Sequence, residues 1–119
     1  MSKKILFVDD DEHWRSVVAI TLTGAGHEVL TAADASQAMA LTEGASLGLI
    51  ILDLNLAGES GLALMKYLRH NQPDVPVILY TGMEHDDATV VSMLQQGASQ
   101  YLRKGVMEDL VKPVRTSFQ

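Results

Sequence analysis

Short apolar runs alternate along the chain with segments whose apolar residues recur at helical spacing. The runs that we interpret as strands lie at residues 5–8, 29–32, 49–52, 77–80 and 101–102. The first, third and fourth of these runs are continuous rather than alternating, which is typical of strands buried on both faces of a parallel sheet. The pattern therefore predicts a sheet that is covered by helices on both sides.

Four helical stripes separate the runs. Their apolar residues are Trp14, Val17, Val18, Leu22 and Ala25, then Ala38, Leu41 and Ala45, then Leu62, Met65 and Leu68, and finally Val90, Val91, Leu94 and Ala98. A fifth helix is predicted to begin near Val106 and to be short, because Pro113 lacks a backbone donor and pushes Lys112 away from helical dihedrals. We therefore expect this last helix to be interrupted at Pro113.

Strands that alternate with helices predict an α/β fold with a doubly wound parallel sheet. Five strands fit the flavodoxin-like order 2-1-3-4-5, and the 119 residues suit a single domain that spans residues 1–119. The net charge is -6, and the 9 lysine and arginine residues form no cluster, which disfavours direct binding to nucleic acid. The chain has no cysteine, which excludes disulfides and cysteine-ligated zinc but does not indicate a compartment. The first apolar run is too short for a signal peptide, and no apolar stretch is long enough for a bilayer, so we predict a cytoplasmic protein without a membrane partner.

Polar residues follow the strands at the point where each strand ends. Asp9, Asp10 and Asp11 follow the first strand, Asp53 follows the third, and Thr81 follows the fourth, while Lys104 comes after the fifth. Taken singly, each residue has an ordinary structural explanation; an acidic run before a helix, for example, usually caps that helix. Ligands of open parallel sheets, however, bind beyond the carboxyl ends of the strands, where these residues converge.

The combination favours a functional site over separate caps. Two carboxylates about 5 Å apart repel by roughly 3 kcal/mol at an effective dielectric constant of about 20, so a group of three is unfavourable without a cation. Oxygen ligands select a hard ion such as Mg²⁺. A nearby ammonium and a hydroxyl suit a phosphoryl group, so the pattern predicts a phosphoryl-transfer site with a carboxylate as the nucleophile.

At these residues the chain resembles the receiver domains of two-component response regulators, and is similar to the chemotaxis type. The matching segments are residues 4–12, 51–55 together with Gly61, 77–82, and 97–104. The spacing agrees as well, with 43 residues from Asp10 to Asp53, 28 from Asp53 to Thr81 and 23 from Thr81 to Lys104.

The resemblance implies a phosphoacceptor and a metal site. Asp53 is expected to accept the phosphoryl group, and Mg²⁺ (or Mn²⁺) is expected to bind Asp10 directly and Asp9 mainly through water. Asp53 itself and the backbone carbonyl of Asn55 complete the expected metal ligands.

Further roles follow from the same resemblance. Thr81 is expected to hydrogen-bond the phosphoryl oxygens and Lys104 to pair with them, while Gly82 and Met83 control access to the site. Tyr101 is expected to be the aromatic switch residue, although its position alone equally suits a half-buried strand aromatic.

The function implied is phosphorylation of Asp53 by a sensor histidine kinase or phosphotransfer protein. The phosphoryl group would alter a surface for a downstream partner or an output domain, and hydrolysis would reset the switch. No turnover of an external substrate is expected. The sequence names neither the kinase nor the output partner.

Departures from the family pattern leave some points open. Gly105 and Ala57 stand where prolines are common, so the Lys104–Gly105 bond is either trans or a forced cis bond that costs roughly 3 kcal/mol.

One alternative function is a Mg²⁺-dependent aspartyl-phosphate phosphohydrolase, which needs an acid where this chain has Asn55. Another is a receiver-like interaction module that works without phosphorylation. A flavodoxin is a weaker option, since no serine-, threonine- or glycine-rich phosphate loop follows the first strand.

Overall fold

A parallel sheet forms the centre of the protein. The computed structural model describes residues 3–56, 58–82, 85–105 and 107–118. The strands in chain order are β1 (Lys4–Val8), β2 (Val29–Ala32), β3 (Leu47–Leu52), β4 (Asn55–Leu56), β5 (Glu59–Ser60), β6 (Val77–Thr81) and β7 (Gln100–Arg103). The described residues build a five-stranded sheet in the order β2-β1-β3-β6-β7, with parallel pairing throughout. Within this sheet the order is 2-1-3-4-5, so the predicted fold class is confirmed.

The helices are α1 (Glu12–Gly24), α2 (Ala35–Gly44), α3 (Gly61–Asn71), α4 (Asp87–Gln95) and α5 (Glu108–Ser117). Side chains cap the first four of them, because Asp11, Asp34, Ser60 and Asp86 accept hydrogen bonds from amides of the first turn. No helix in the described part of the chain is both long and apolar enough to span a membrane.

Side chains of alternate strand residues build two cores, one on each face of the sheet. Leu6 and Val8 of β1 point into the core that α2, α3 and α4 cover. Ile5 and Phe7 point into the opposite core, which contains buried residues of α1 and α5. Burial on both faces explains why the strands β1, β3 and β6 are continuously apolar.

The predicted interruption at Pro113 is wrong, because α5 continues through this proline to Ser117. The helix loses one backbone donor there, but Leu110 and Val114 on either side of the proline are completely buried against the sheet. Their burial, worth about 1.5–3 kcal/mol for each side chain of this size, is comparable with the roughly 3 kcal/mol cost of an interior proline. The expected start near Val106 lies outside the described residues.

A short hairpin follows β3. Residues Asn55 and Leu56 pair in antiparallel fashion with Ser60 and Glu59. Gly58 has a φ of 69°, which glycine adopts without strain. The hairpin sets the position of Asn55 next to the end of β3, whereas Ala57 lies outside the described residues.

Gly61, which begins α3, lies directly against the end of β3. A Cβ atom at this position would lie 2.5 Å from Leu54 Cα and 2.7 Å from the Asp53 carbonyl oxygen. Both contacts are with backbone atoms, which cannot move aside as a flexible side chain would. The close approach therefore explains why the chain has a glycine here.

Replacing Gly61 with alanine should destabilise the protein by about 1–3 kcal/mol, the usual cost of an overpacked site. The matched control is Gly24→Ala at the end of α1, where an added Cβ would meet no atom within 4 Å. Urea unfolding of both variants tests this. Equal midpoints for the two variants would show that the contact at Gly61 is relieved at little cost.

Candidate functional site

Three carboxylates meet at the carboxyl edge of the sheet. Val8 is paired with Leu52, so Asp9 and Asp53, the residues that follow them, lie side by side. One ligand oxygen from each of Asp9, Asp10 and Asp53 lies within 4.8 Å of the other two. Asp9 is 0% exposed and Asp53 is 4% exposed, while Asp10 is open to solvent. The predicted convergence of acids at one edge is therefore found.

Lys104 reaches this group from the end of β7, the outermost strand next to β6. Its backbone N–H donates to the Thr81 carbonyl oxygen at 2.8 Å, which continues the pairing of β6 with β7. Its Nζ donates to Asp9 Oδ2 at 2.5 Å and to Asp53 Oδ2 at 3.0 Å. No peptide bond among the described residues is cis, so the Lys104–Gly105 bond is trans, and the lysine reaches both acids without the family's proline.

The charges at the site are mutually dependent. Burial raises the pKa of Asp9 above its ordinary value, although the hydrogen bond from Lys104 and the one from the Asp11 amide oppose this. Burial alone would lower the pKa of Lys104, but its hydrogen bonds to Asp9 and Asp53 outweigh that effect and raise it. One ammonium thus faces three carboxylates, which leaves an excess of negative charge that a divalent cation can neutralise.

A cleft of about 260 Å³ opens above these groups. Its lining residues are Asp9, Asp10, Asp11, Trp14, Asp53, Asn55, Gly82 and Lys104. The donor set consists of carboxylate oxygens, with no cysteine or histidine among these residues, and it fits a hard cation such as Mg²⁺ rather than a soft metal. Asp11 is mainly a cap, because its Oδ1 accepts from the amides of His13 and Trp14.

The remaining predicted residues lie around the cleft. The backbone N–H of Asn55 donates to Asp53 Oδ1 at 3.0 Å, and Gly82 lines the opening of the cleft. Thr81 is completely buried at the end of β6 and is not among the lining residues, so its contact with a phosphoryl group stays a prediction. Met83 lies outside the described residues.

Tyr101 is half-buried in β7 and packs against the core that α2, α3 and α4 cover. Its hydroxyl lies 2.8 Å from Nδ1 of His85, and the two rings meet edge to face at 5.7 Å. The sequence spacing of His85 and Tyr101 does not predict this contact, because it depends on the path of the chain between β6 and α4.

Two residues of α1 also contact the site. Arg15, which the sequence did not single out, donates from Nη1 to the backbone carbonyl oxygen of Asp9 at 2.8 Å. Trp14 lines the cleft, and Lys104 Nζ lies 5.0 Å from the centre of its ring. Helix α1 therefore supports the acidic edge as well as the core.

Comparison with known proteins agrees with this geometry. The family described as the response regulator receiver domain matches residues 5–115. The chain therefore belongs to the receiver domain family of two-component response regulators. It is similar to the phosphate regulon transcriptional regulatory protein PhoB of Pseudomonas aeruginosa, with 35% identity over 106 residues, which cover 87% of this chain and 46% of that protein. Across the first curated relatives, the chain spans between 22% and 46% of their length.

Solved structures show the same likeness. Chemotaxis protein CheY4 of Vibrio cholerae has a TM-score of 0.89 and 31% identity, with 98% of this chain and 99% of that chain covered. A response regulator of Burkholderia pseudomallei has a TM-score of 0.85 and 30% identity, with 99% of this chain and 67% of that chain covered. That structure contains a phosphorylated aspartic acid, a calcium ion and citrate.

Magnesium should change the fluorescence of Trp14, the only tryptophan in the chain, because the indole lies at the cleft beside Lys104. Replacing Asp10 with asparagine should weaken Mg²⁺ binding by at least about tenfold, the loss that even outer-shell changes at metal sites cause. Calorimetric and fluorescence titrations measure both effects. Glu12→Gln, an exposed acid two residues away in the chain, is the matched control and should bind Mg²⁺ like the unaltered protein.

Replacing Asp9 with asparagine should stabilise the metal-free protein at neutral pH. The pKa of Asp9 is raised in the folded state, so its ionised form opposes folding, and this cost appears as the pH rises through the folded-state pKa. The gain should therefore shrink as the pH is lowered, and added Mg²⁺ should remove it by stabilising the unaltered protein. Urea unfolding with and without Mg²⁺ tests this, with the exposed Asp74→Asn as the control. A stability gain that does not depend on pH would contradict the explanation.

Proposed function

We propose that this chain is a phosphorylation-controlled switch whose Asp53 accepts a phosphoryl group. The donor is the phosphohistidine of a sensor histidine kinase or phosphotransfer protein, or a small acyl phosphate. The observation that carries the proposal is the placement of Asp53 in the cleft, between the ammonium of Lys104 and the amide of Asn55, with Asp9 and Asp10 beside it. The phosphorylated aspartic acid in the Burkholderia relative supports it.

In the proposed reaction, a carboxylate oxygen of Asp53 attacks the phosphorus atom of the donor. The new O–P bond forms as the bond from phosphorus to the donor nitrogen breaks, and the electron pair of that bond leaves with the imidazole. Lys104 provides positive charge to the transferring oxygens from its position between Asp9 and Asp53. Asp10, Asp53 and the backbone carbonyl of Asn55 would hold Mg²⁺ (or Mn²⁺), with Asp9 mainly through water, and the bound ion would supply further charge neutralisation.

The new phosphoryl group then changes the contacts around it. It adds up to about two negative charges beside Lys104, and it offers oxygens that Thr81 and Lys104 are proposed to bind. Movement of Thr81 would make room for Tyr101 to pack inward, which requires its hydroxyl to leave His85. The surface formed by α4, β7 and α5 is thereby altered for a downstream partner or output domain, and hydrolysis of the aspartyl phosphate resets the switch.

The same residues argue against turnover of an external phosphate ester. A phosphohydrolase of the aspartyl-phosphate type needs an acid two residues after the nucleophile to protonate the leaving group, and this chain has Asn55 there. We therefore propose that the protein catalyses only its own phosphorylation and dephosphorylation. A cytoplasmic location and the absence of direct contact with nucleic acid or membrane stay predictions.

Incubation with acetyl phosphate and Mg²⁺ should add one phosphoryl group to the protein, as measured by intact mass. Asp53→Ala should abolish the adduct because it removes the carboxylate that we propose as the acceptor. Asp74→Ala, an exposed aspartate away from the cleft, should be phosphorylated like the unaltered protein. Omission of the divalent cation should slow the reaction strongly.

Three outcomes would contradict this proposal. An adduct on Asp53→Ala would place the acceptor elsewhere. Binding of Mg²⁺ without any adduct on the unaltered protein would identify an interaction module that works without phosphorylation. Sustained hydrolysis of a generic phosphate ester would identify a phosphohydrolase.

A further inference from the structure

An aromatic pair lies against the ammonium of Lys104. The Nζ atom is 5.0 Å from the centre of the Trp14 ring. The Trp14 ring in turn meets Tyr80 edge to face, at 5.9 Å and an interplanar angle of 88°. Tyr80 is completely buried in β6, directly before Thr81, and the Trp14 amide is held by the cap residue Asp11. The indole therefore contacts the sheet through Tyr80, while the backbone of Trp14 is fixed in the first turn of α1.

The backbone around Lys104 restrains its side chain only weakly. Gly105 follows it through a trans peptide bond, and a Cβ atom there would meet no atom within 4 Å. At Gly82 an added Cβ would lie 3.9 Å from Lys104 Cδ, so the lysine stem passes a residue that has no side chain. A lysine side chain loses about 1.5–2 kcal/mol of rotamer freedom when it is fixed, so its position depends on contacts made by its head and stem.

We propose that Trp14 is a positioning residue that holds the Lys104 ammonium between Asp9 and Asp53. This inference rests on the phosphoacceptor function proposed above and concerns the same site. Lys104 is 9% exposed along its side chain, so the indole face acts on a largely dehydrated cation, where cation–π attraction is strongest.

The chemistry of the contact suits a lysine that must change partners. The ammonium has three N–H donors, of which Asp9 and Asp53 each accept one. An aromatic face attracts the charge as a whole and requires no particular N–H direction. Trp14 can therefore keep the ammonium at the cleft while its hydrogen bonds pass from the carboxylates to an incoming phosphoryl group.

A purely structural role for Trp14 makes a different prediction. Trp14 also packs against the core that contains Val18, Leu22 and Tyr80, so any substitution costs some packing. If packing alone mattered, leucine would serve at position 14 as well as phenylalanine. If the aromatic ring matters, phenylalanine should preserve much of the positioning of Lys104, and leucine should preserve little of it.

The position of Lys104 can be measured by NMR on the metal-free protein, without any phosphorylation. The ring current of Trp14 should displace the proton resonances of the Lys104 stem and Cε upfield of those of the other lysines. The displacement should persist in part in Trp14→Phe and disappear in Trp14→Leu. Leu22→Val, a packing change in the same helix and core, should leave it unchanged.

Phosphorylation by acetyl phosphate and Mg²⁺ gives the functional readout, with rates normalised to the folded fraction. Trp14→Leu should react about tenfold more slowly, as expected for the loss of a desolvated cation–π contact, and Trp14→Phe should lose less than about threefold. The unaltered protein is tested in parallel, so failure of the proposed function shows as no adduct on it.

Two results would overturn the inference while leaving the phosphoacceptor function intact. One is a Trp14→Leu variant that reacts at the rate of the unaltered protein. The other is a Trp14→Phe variant whose phosphorylation rate falls as far as that of Trp14→Leu. If Trp14→Leu does not fold, the unaltered protein and Trp14→Phe still decide, because Lys104 resonances without upfield displacement in either would exclude the proposed contact.

Discussion

Crowding of negative charge at the ends of β1 and β3 is the constraint on which the structure of the site depends. Strand pairing forces Asp9 and Asp53 together, and both are almost completely buried. Burial disfavours the ionised form of Asp9 and raises its pKa. A stiff sheet covered on both faces can hold like charges at this distance, whereas a flexible loop would let them separate. Lys104 offsets part of the repulsion between the carboxylates. The negative charge that remains favours binding of a divalent cation.

Each neighbouring element contributes to relieving that repulsion. The pairing of β7 with β6 brings Lys104 to the acids, and Arg15 of α1 binds the carbonyl oxygen of Asp9. The hairpin that follows β3 directs the amide of Asn55 toward Asp53. At Gly61 an added Cβ atom would lie 2.7 Å from the Asp53 carbonyl oxygen, so α3 can begin this close to the end of β3 because its first residue has no side chain.

The sequence predicted the features that depend on local patterns and on sheet topology. Continuous apolar runs indicated buried parallel strands, and the rule that ligands bind at strand ends predicted that Asp9, Asp53 and Lys104 meet. Features that depend on tertiary packing could not be predicted in this way. The passage of α5 through Pro113 reflects burial of Leu110 and Val114 on a face that the local rule for proline ignores. The contact between His85 and Tyr101 likewise depends on how the chain runs from β6 to α4.

Lys104 also shows how a charge change at Asp53 can affect more distant parts of the fold. Its side chain binds both buried acids, its backbone amide donates to the Thr81 carbonyl oxygen, and the strand directly before it, β7, carries Tyr101. The proposed phosphoryl group on Asp53 would add negative charge beside the ammonium and would compete with Asp9 for it. A shift of Lys104 would act on the end of β7, and Tyr101 of that strand contacts His85, which lies ahead of α4. The proposed change at the surface of α4 and β7 can therefore be traced through contacts that begin at the acidic edge.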